Sequence, residues 1–198
     1  MSVVTSPSLE RPFEWKLPYR GKVGMACLIV AESTLFSIFV VAYLFYLGKS
    51  VTGPTPREVL ETPIFFTICL LSSSLTIHLA AKELENDHRK TFLILWAITI
   101  LLWALFLFGT ALEWHRLIFE RGLTISTNLF GTTYYSLVGL HATHVTLGLV
   151  MLTLVLLFGL ADRVGTEQSA RIATISLYWH FVDAVWIVVF TVVYLIGR

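Results

Sequence analysis

Long apolar stretches separated by short charged segments dominate the sequence. A helix needs about 20 mainly apolar residues to cross a bilayer. Five windows meet this length or approach it: residues 24–47, 64–81, 92–113, 133–160 and 172–196. Apolar residues surround each predicted helix instead of forming one stripe beside a charged face, which argues against soluble amphipathic helices. We therefore predict an all-α integral membrane protein with five transmembrane helices in one bundle.

The distribution of charge supports this interpretation. Of the 198 residues, 14% are charged and 56% are hydrophobic, whereas a soluble domain has about 25% charged and about 45–50% apolar residues. The five windows contain no Lys or Arg, and their acids are Glu32, Glu113 and Asp183. This composition excludes a soluble enzyme. The net charge of +1 provides no basic excess for phosphates, so we expect no nucleic-acid partner.

The segments between the windows predict the orientation. Residues 1–23, rich in proline and charge, are expected to form a cytoplasmic N-terminal tail, and residues 24–198 the membrane domain. The tail and the second and fourth connections carry nine Lys and Arg residues, against five on the other side. Because cytoplasmic loops are enriched in basic residues, this difference places the N-terminus in the cytoplasm and the C-terminus outside. The second connection, residues 82–91, is predicted to be a charged hairpin.

Cysteine and tryptophan residues give structural expectations only. Cys27 and Cys69 lie inside apolar runs, so we expect both to be small buried residues without a disulfide or a zinc site. Trp96 and Trp179 are candidate anchors at the membrane interface, where the apolar ring and the polar N–H of an indole are both accommodated.

Ionisable side chains at membrane depth are costly to insert and are therefore candidate functional residues. Position within the windows puts most of them in one half of the bilayer, as a possible polar layer. These candidates are Glu32, His78, His141, His144, His180 and Asp183. His141 and His144 are three residues apart, as are His180 and Asp183, so each pair lies on one helix face.

Three interpretations of these side chains remain open. A di-iron bundle needs Glu-x-x-His on two helices with further glutamates opposite, and only two acids lie at this depth, so we expect no metal. The histidines, with Asp183 and Glu113, are expected to form an intramembrane hydrogen-bond network that fixes packing, at about 0.6–2 kcal/mol per contact. Glu32 shares its window with no cation. It must therefore find a partner on another helix or chain, or keep a proton, for proton handling or subunit contact.

Two stretches resemble a known family. Residues 178–186, Tyr-Trp-His-Phe-Val-Asp-Ala-Val-Trp, resemble the last-helix signature of subunit III of haem–copper terminal oxidases. Residues 139–148, which contain His141 and His144, resemble the Gly-x-His-Gly-x-His-Val-x-x-Gly helix of the same family. Further landmarks in register are Glu32, Ser72-Ser73, Arg89-Lys90 and Glu113.

The resemblance covers residues 20–198 and has departures. Ala142 replaces the glycine between the two histidines, and Ala173 replaces a glutamate that many members carry, so no role of that acid is transferred. The two N-terminal helices of seven-helix members are absent. The chain thus resembles the five-helix bacterial form, in which another subunit is a candidate to complete the lipid-lined cleft.

This resemblance implies a non-catalytic subunit of a proton-pumping oxidase of the cytochrome c oxidase type, which reduces oxygen to water in aerobic respiration. Such a chain binds no haem or copper, which lie in partner subunits, but it packs on subunit I, binds phospholipid and supports proton uptake. Subunit II and small subunits belong to the same complex. Glu32 is then expected to support proton uptake or to contact subunit I, in the bacterial inner (plasma) membrane. Arg163 and Arg171, on the predicted cytoplasmic side, are candidates for binding anionic lipid head groups.

Two alternatives remain at the sequence level. Subunit III of a quinol oxidase and the accessory protein of a nitric oxide reductase have the same five-helix form, and no residue of this chain identifies the electron donor. A free-standing metal-dependent membrane enzyme is a less favoured alternative from another class. Stoichiometric metal in the isolated chain would identify it.

Overall fold

The computed structural model describes residues 20–197, and the predicted tail up to residue 19 and Arg198 lie outside that range. The six α-helices of the described chain are α1 (Arg20–Tyr46), α2 (Pro56–Val59), α3 (Ile64–Glu85), α4 (Arg89–Phe119), α5 (Leu129–Leu160) and α6 (Ser169–Phe190). A 3₁₀ turn, Thr166–Gln168, precedes α6, and a π-helical turn, Thr191–Ile196, follows it. Five of these segments are long and apolar enough to cross a membrane, and this part of the chain contains no strand. The predicted fold class is confirmed.

The helices extend beyond the apolar windows. Helix α1 begins at Arg20, inside the predicted tail, and α4 continues to Phe119 instead of ending at residue 113. Helices α3 and α4 also take up most of the predicted hairpin, leaving a turn at residues 86–88 in which Asp87 has a φ of 62°. Lys, Arg and Glu are good helix formers, so a helix continues into them where the apolar run stops.

The bundle is organised around α5 and α6. Helix α5 packs against α1, α4 and α6, and α6 packs against α1, α3 and α5. Helices α3 and α4 form a closely packed pair, joined by the turn at residues 86–88. We call the end that carries this turn and the connection at residues 161–168 the hairpin end. The loop end carries the connections at residues 47–63 and 120–128.

Two predictions about buried side chains were wrong. Trp96 and Trp179 are fully buried rather than placed at an interface. The Trp96 indole nitrogen donates a hydrogen bond to the Leu152 carbonyl over 2.9 Å, since an indole inside a bundle needs an acceptor. Cys27 is exposed while Cys69 is buried. An apolar run does not predict which of its residues are buried, because a membrane helix presents apolar side chains both to the core and to lipid.

Arg89 connects α4 to α5 at the hairpin end. Its guanidinium donates to the Gly159 carbonyl and pairs with Asp162. Gly159 is among the last residues of α5, whose final carbonyls have no partner within their own helix. The Gly159 carbonyl also accepts from the Asp162 backbone N–H over 3.2 Å, so Arg89 supplies a second, charged donor to a carbonyl at the end of α5.

Candidate functional site

Glu32 and His144 pair across the contact between α1 and α5. The carboxylate oxygen Oε2 of Glu32 lies 3.1 Å from His144 Nε2. About a quarter of the Glu32 side chain is exposed (24%), against 11% of the His144 side chain. The Phe36 ring packs on the His144 ring, with centroids 5.0 Å apart. Glu32 therefore has a partner on another helix, one of the outcomes that the sequence left open.

The hydrogen bonds of His144 determine how many protons this pair holds. His144 Nδ1 lies 2.8 Å from the Leu140 carbonyl oxygen, which only accepts, so Nδ1 carries a hydrogen. The contact between Nε2 and the carboxyl group needs one further hydrogen, on either atom. With one such hydrogen the pair is neutral, as imidazole and acid or as imidazolium and carboxylate. The two side chains therefore share one hydrogen at a partly exposed position.

A second polar group lies between α3 and α6. The Ser74 hydroxyl donates to Asp183 Oδ2 and lies 3.1 Å from His180 Nδ1. Asp183 is 3% exposed, and its Oδ1 has no hydrogen-bond partner within residues 20–197. The three-residue spacing of His180 and Asp183 thus places both around one hydroxyl of a neighbouring helix.

Ser73 holds two indole rings in the core of the bundle. Trp103 Nε1 donates to Ser73 Oγ over 2.7 Å, and Trp179 Nε1 donates to the same oxygen over 3.2 Å. The Ser73 hydroxyl itself donates to the Leu70 carbonyl over 2.5 Å. This uses its one hydrogen and both lone pairs. Ser73 therefore has no capacity left for a further partner.

His141 and His78 lie apart from these hydrogen bonds. The His141 ring stacks on Trp186, with centroids 5.0 Å apart, and meets the Phe106 ring edge-on. Neither His141 ring nitrogen has a partner among the described side chains and backbone. His78 is exposed and lines a groove at the hairpin end together with His180. The predicted polar layer is therefore divided into separate groups.

Glu113 lies in another region, towards the loop end. The Tyr194 hydroxyl donates to its two carboxylate oxygens, over 3.0 and 2.8 Å. The Tyr134 hydroxyl lies 3.5 Å from that of Tyr194. Tyr194 belongs to the π-helical turn, a rare conformation that is frequent at functional sites. Because α4 runs from the hairpin end towards the loop end, Glu113 near its end does not reach the histidines.

The two arginines predicted to bind lipid head groups lie at the hairpin end, and no metal site was predicted. Arg163 and Arg171 are both exposed at the hairpin end, and their lipid contacts stay a prediction. Among the side chains of residues 20–197, no three from His, Cys, Asp and Glu come together in a way that could hold a metal ion.

Sequence reasoning assigned no role to the hydroxyl groups. Ser73 and Ser74 hold the two central polar contacts of α3, and Thr67 accepts from Trp186 Nε1 over 3.2 Å. Three consecutive serines, residues 72–74, inside a membrane window were an available signal. Hydroxyls in membrane helices commonly form hydrogen bonds to neighbouring helices.

The fold and its polar groups define a multi-pass membrane protein whose acids are held by hydrogen bonds between helices. The sequence matches the family described as cytochrome c oxidase subunit III over residues 19–198. It is 33% identical to cytochrome c oxidase subunit 3 of Alkalihalophilus pseudofirmus over 177 residues, which cover 88% of this chain and 86% of that protein.

Two proteins of Bacillus subtilis are similar to the same degree. Cytochrome c oxidase subunit 3 is 32% identical over 187 residues, covering 92% of this chain and 90% of that protein. Quinol oxidase subunit 3 is 34% identical over 177 residues, covering 88% of this chain and 86% of that protein. The chain belongs to the cytochrome c oxidase subunit III family. It is a multi-pass subunit of a haem–copper oxidase complex in a bacterial plasma membrane, as its resemblance to that family indicated.

Proposed function

We propose that this chain is a non-catalytic subunit of a proton-pumping cytochrome c oxidase and that it supports proton uptake into subunit I. The haem and copper of the reaction then lie in partner subunits, and this chain binds neither. The observation that carries the proposal is the contact between the Glu32 carboxyl group and the His144 imidazole at a partly exposed position. A proton-holding pair of this kind suits delivery to a neighbouring subunit.

The location of Glu32 on α1 supports this role. Helix α1 contributes only Phe36 and Tyr43 to the buried core, and most of its surface faces outwards. Glu32 lies at the contact of α1 with α5, and about a quarter of its side chain is exposed, so a subunit that packs along this side of α1 would reach it. We place subunit I there, with subunit II and any small subunits elsewhere in the complex. The hairpin end then faces the cytoplasm.

The variant Glu32→Gln tests the proton role. Glutamine keeps the length of the side chain and donates to His144 Nε2, but it does not titrate. We expect an assembled complex with normal haem content, slower proton uptake and a shorter active lifetime during turnover. Glu58→Gln, which changes an exposed carboxylate outside the spans, is the matched control. If Glu32→Gln takes up protons and keeps its activity during turnover as wild type does, the proposed proton role is contradicted.

Bound phospholipid is the second part of the proposed role. An apolar groove of about 410 Å³ runs between α1 and α6, and Phe36, Val40 and Val185 are among its lining residues. Its apolar lining suits an acyl chain, and Arg163 and Arg171 would hold anionic head groups elsewhere on the surface. Isolation in mild detergent, followed by protein and lipid analysis, tests both partners. We expect a haem-bearing subunit and anionic phospholipid to accompany the chain.

The electron donor is proposed to be cytochrome c, with quinol as the second candidate. The second candidate follows from the quinol oxidase subunit 3 of Bacillus subtilis, which is as similar as the cytochrome c oxidase relatives. Oxygen consumption by the purified complex with reduced cytochrome c or with a quinol separates the two. A copper-bearing subunit II in the same preparation would favour cytochrome c.

A further inference from the structure

The polar group between α3 and α6 is continuous with a groove at the hairpin end. This groove, of about 440 Å³, is lined by His78, Lys82 and Glu85 from α3 and by His180 from α6. His180 also lies 3.1 Å from the Ser74 hydroxyl, which donates to Asp183. One imidazole therefore joins the groove to a buried carboxyl group through a single hydroxyl.

We propose that Asp183 is a proton-storage site that is loaded from the hairpin end through His180 and Ser74. The site is separate from the Glu32–His144 pair, which lies in the contact of α1 with α5, and the proposal does not rest on the function of that pair. Neither the family description nor the names of the relatives assign such a site.

The surroundings of Asp183 favour storage over a permanent charge. Asp183 is 3% exposed, and the ion pairs found within residues 20–197 do not include it. A carboxylate buried in this way without a cation is costly, whereas the neutral acid is tolerated. Oδ1 has no partner in the described structure, so no donor there stabilises a negative charge on the carboxyl group.

The relay ends at Asp183. Within residues 20–197, the Ser74 hydroxyl is the one hydrogen-bond partner of the Asp183 carboxyl group, and Oδ1 has none. The described residues therefore offer no second relay step beyond Asp183. A proton that reaches Asp183 through Ser74 has to return by the same route, as is required of a store.

The transfer step balances without any further reactant. Protonated His180 donates from Nδ1 to Ser74 Oγ while Ser74 donates its own hydrogen to Asp183 Oδ2. The products are neutral His180, which keeps its Nε2 hydrogen, an intact Ser74 hydroxyl and the Asp183 carboxylic acid. Release is the reverse step: the acid donates its proton from Oδ2 to Ser74 Oγ while Ser74 donates its hydrogen to His180 Nδ1, which restores the Asp183 carboxylate and protonated His180. His78, Lys82 and Glu85 line the same groove and are exposed.

Infrared difference spectroscopy of the membrane complex that contains this chain tests the proposal. A carboxylic acid band that is present in wild type and absent in Asp183→Asn identifies the stored proton. The rate at which this band shifts after transfer to heavy water measures the rate of hydrogen–deuterium exchange at the site. Three further variants examine the relay: Ser74→Ala removes the hydroxyl, Ser74→Thr keeps it, and Ser72→Ala changes an exposed serine of the same helix. We expect exchange about tenfold slower or more in Ser74→Ala, since one lost relay hydrogen bond costs enough to raise the barrier by that factor. Ser74→Thr and Ser72→Ala should exchange as wild type does.

Two results would overturn the inference. One is the presence of every carboxylic acid band of the wild type in Asp183→Asn, since Asp183 would then hold no proton. The other is exchange at the wild-type rate in Ser74→Ala, because the proton would then move without the hydroxyl. If Asp183→Asn does not assemble, the comparison of Ser74→Ala with Ser74→Thr still decides whether a hydroxyl-dependent proton store exists. Equal exchange in those two variants would reject it.

Discussion

Single hydroxyl groups carry much of the interhelical hydrogen bonding in this bundle. Ser73 joins α3 to α4 and α6 through the two indoles, and Thr76 lies 2.7 Å from Thr99 of α4. Hydroxyls are well suited to this because they are small, neutral and able to donate and accept together. An ionisable group in the same position would carry a desolvation cost that a hydroxyl avoids.

Ser73→Ala should therefore destabilise the bundle. The substitution leaves the indole nitrogens of Trp103 and Trp179 without their acceptor in a fully buried position. We expect a loss of about 2 kcal/mol or more in the free energy of unfolding. Detergent-induced unfolding of the chain in micelles measures it. Ser72→Ala, at an exposed position, should change that free energy by no more than about 0.5 kcal/mol. Equal stability of the two variants would contradict this role of Ser73.

Gly148 permits the close approach of the stacked indoles. A Cβ added there would lie 2.9 Å from Trp103 Cζ3, and that ring is held by its stacking on Trp179 and by Ser73. We expect Gly148→Ala to be destabilising, because overpacking costs about 1–3 kcal/mol and exceeds the gain in helix propensity of about 1 kcal/mol.

Gly139→Ala is the matched control for Gly148→Ala. On the same helix, a Cβ at Gly139 meets Trp114 at 3.6 Å, an ordinary contact distance. That variant should be as stable as wild type or slightly more stable. The same unfolding measurement compares the two, and an equal or greater stability of Gly148→Ala would show that Trp103 moves freely.

The candidate site was predictable in part from its residues. The acids in the windows and the three-residue spacings led to His180 and Asp183, which do share one contact. The pairing of Glu32 with His144 was not predictable, because depth along a helix does not give its rotation, whereas the separation of Glu113 follows from its depth at the end of the third window. The bridging role of Ser74 depends on that rotation as well.

At the scale of helices, the apolar windows located all five spans but not their ends. A window closes where the apolar run gives way to polar and charged residues, whereas the backbone hydrogen bonds of a helix continue beyond that point. This explains why α3 and α4 reduce the predicted hairpin to residues 86–88. It also explains why Arg89 was assigned to a loop, although it lies in the first turn of α4.

Arg89→Gln should loosen the junction of α4 and α5. A cation at the first turn of its own helix is unfavourable, but at the carbonyl end of α5 it is favourable. The guanidinium bond to Gly159 is worth about 1.5–3 kcal/mol, while the pair with exposed Asp162 adds little. We expect faster amide hydrogen exchange in residues 158–165. Lys90→Gln, an exposed neighbour, should leave that exchange unchanged; the same increase in both variants would contradict a specific role for Arg89.

At the scale of the whole molecule, α1 is the least enclosed of the spans. Only 6% of its apolar window is buried, against 44% for the last span. The sequence did not reveal this difference, because both segments are apolar throughout and a lipid-facing surface resembles a core. The outer face of α1 is therefore the surface on which we expect a partner subunit to pack.

Cys27 provides a direct test of that expectation. It is nine residues from Phe36, two and a half helical turns, so it lies on the face of α1 opposite the buried one. A lipid-soluble maleimide should label Cys27 in the isolated chain in micelles and should fail to label it in the intact complex. Buried Cys69 is the internal reference and should stay unlabelled in both samples. The variant Cys27→Ser should lose the maleimide label, which would show that the label in wild type is on Cys27. Equal labelling of Cys27 in both samples would mean that lipid covers this face and that subunit I packs against another surface of the bundle.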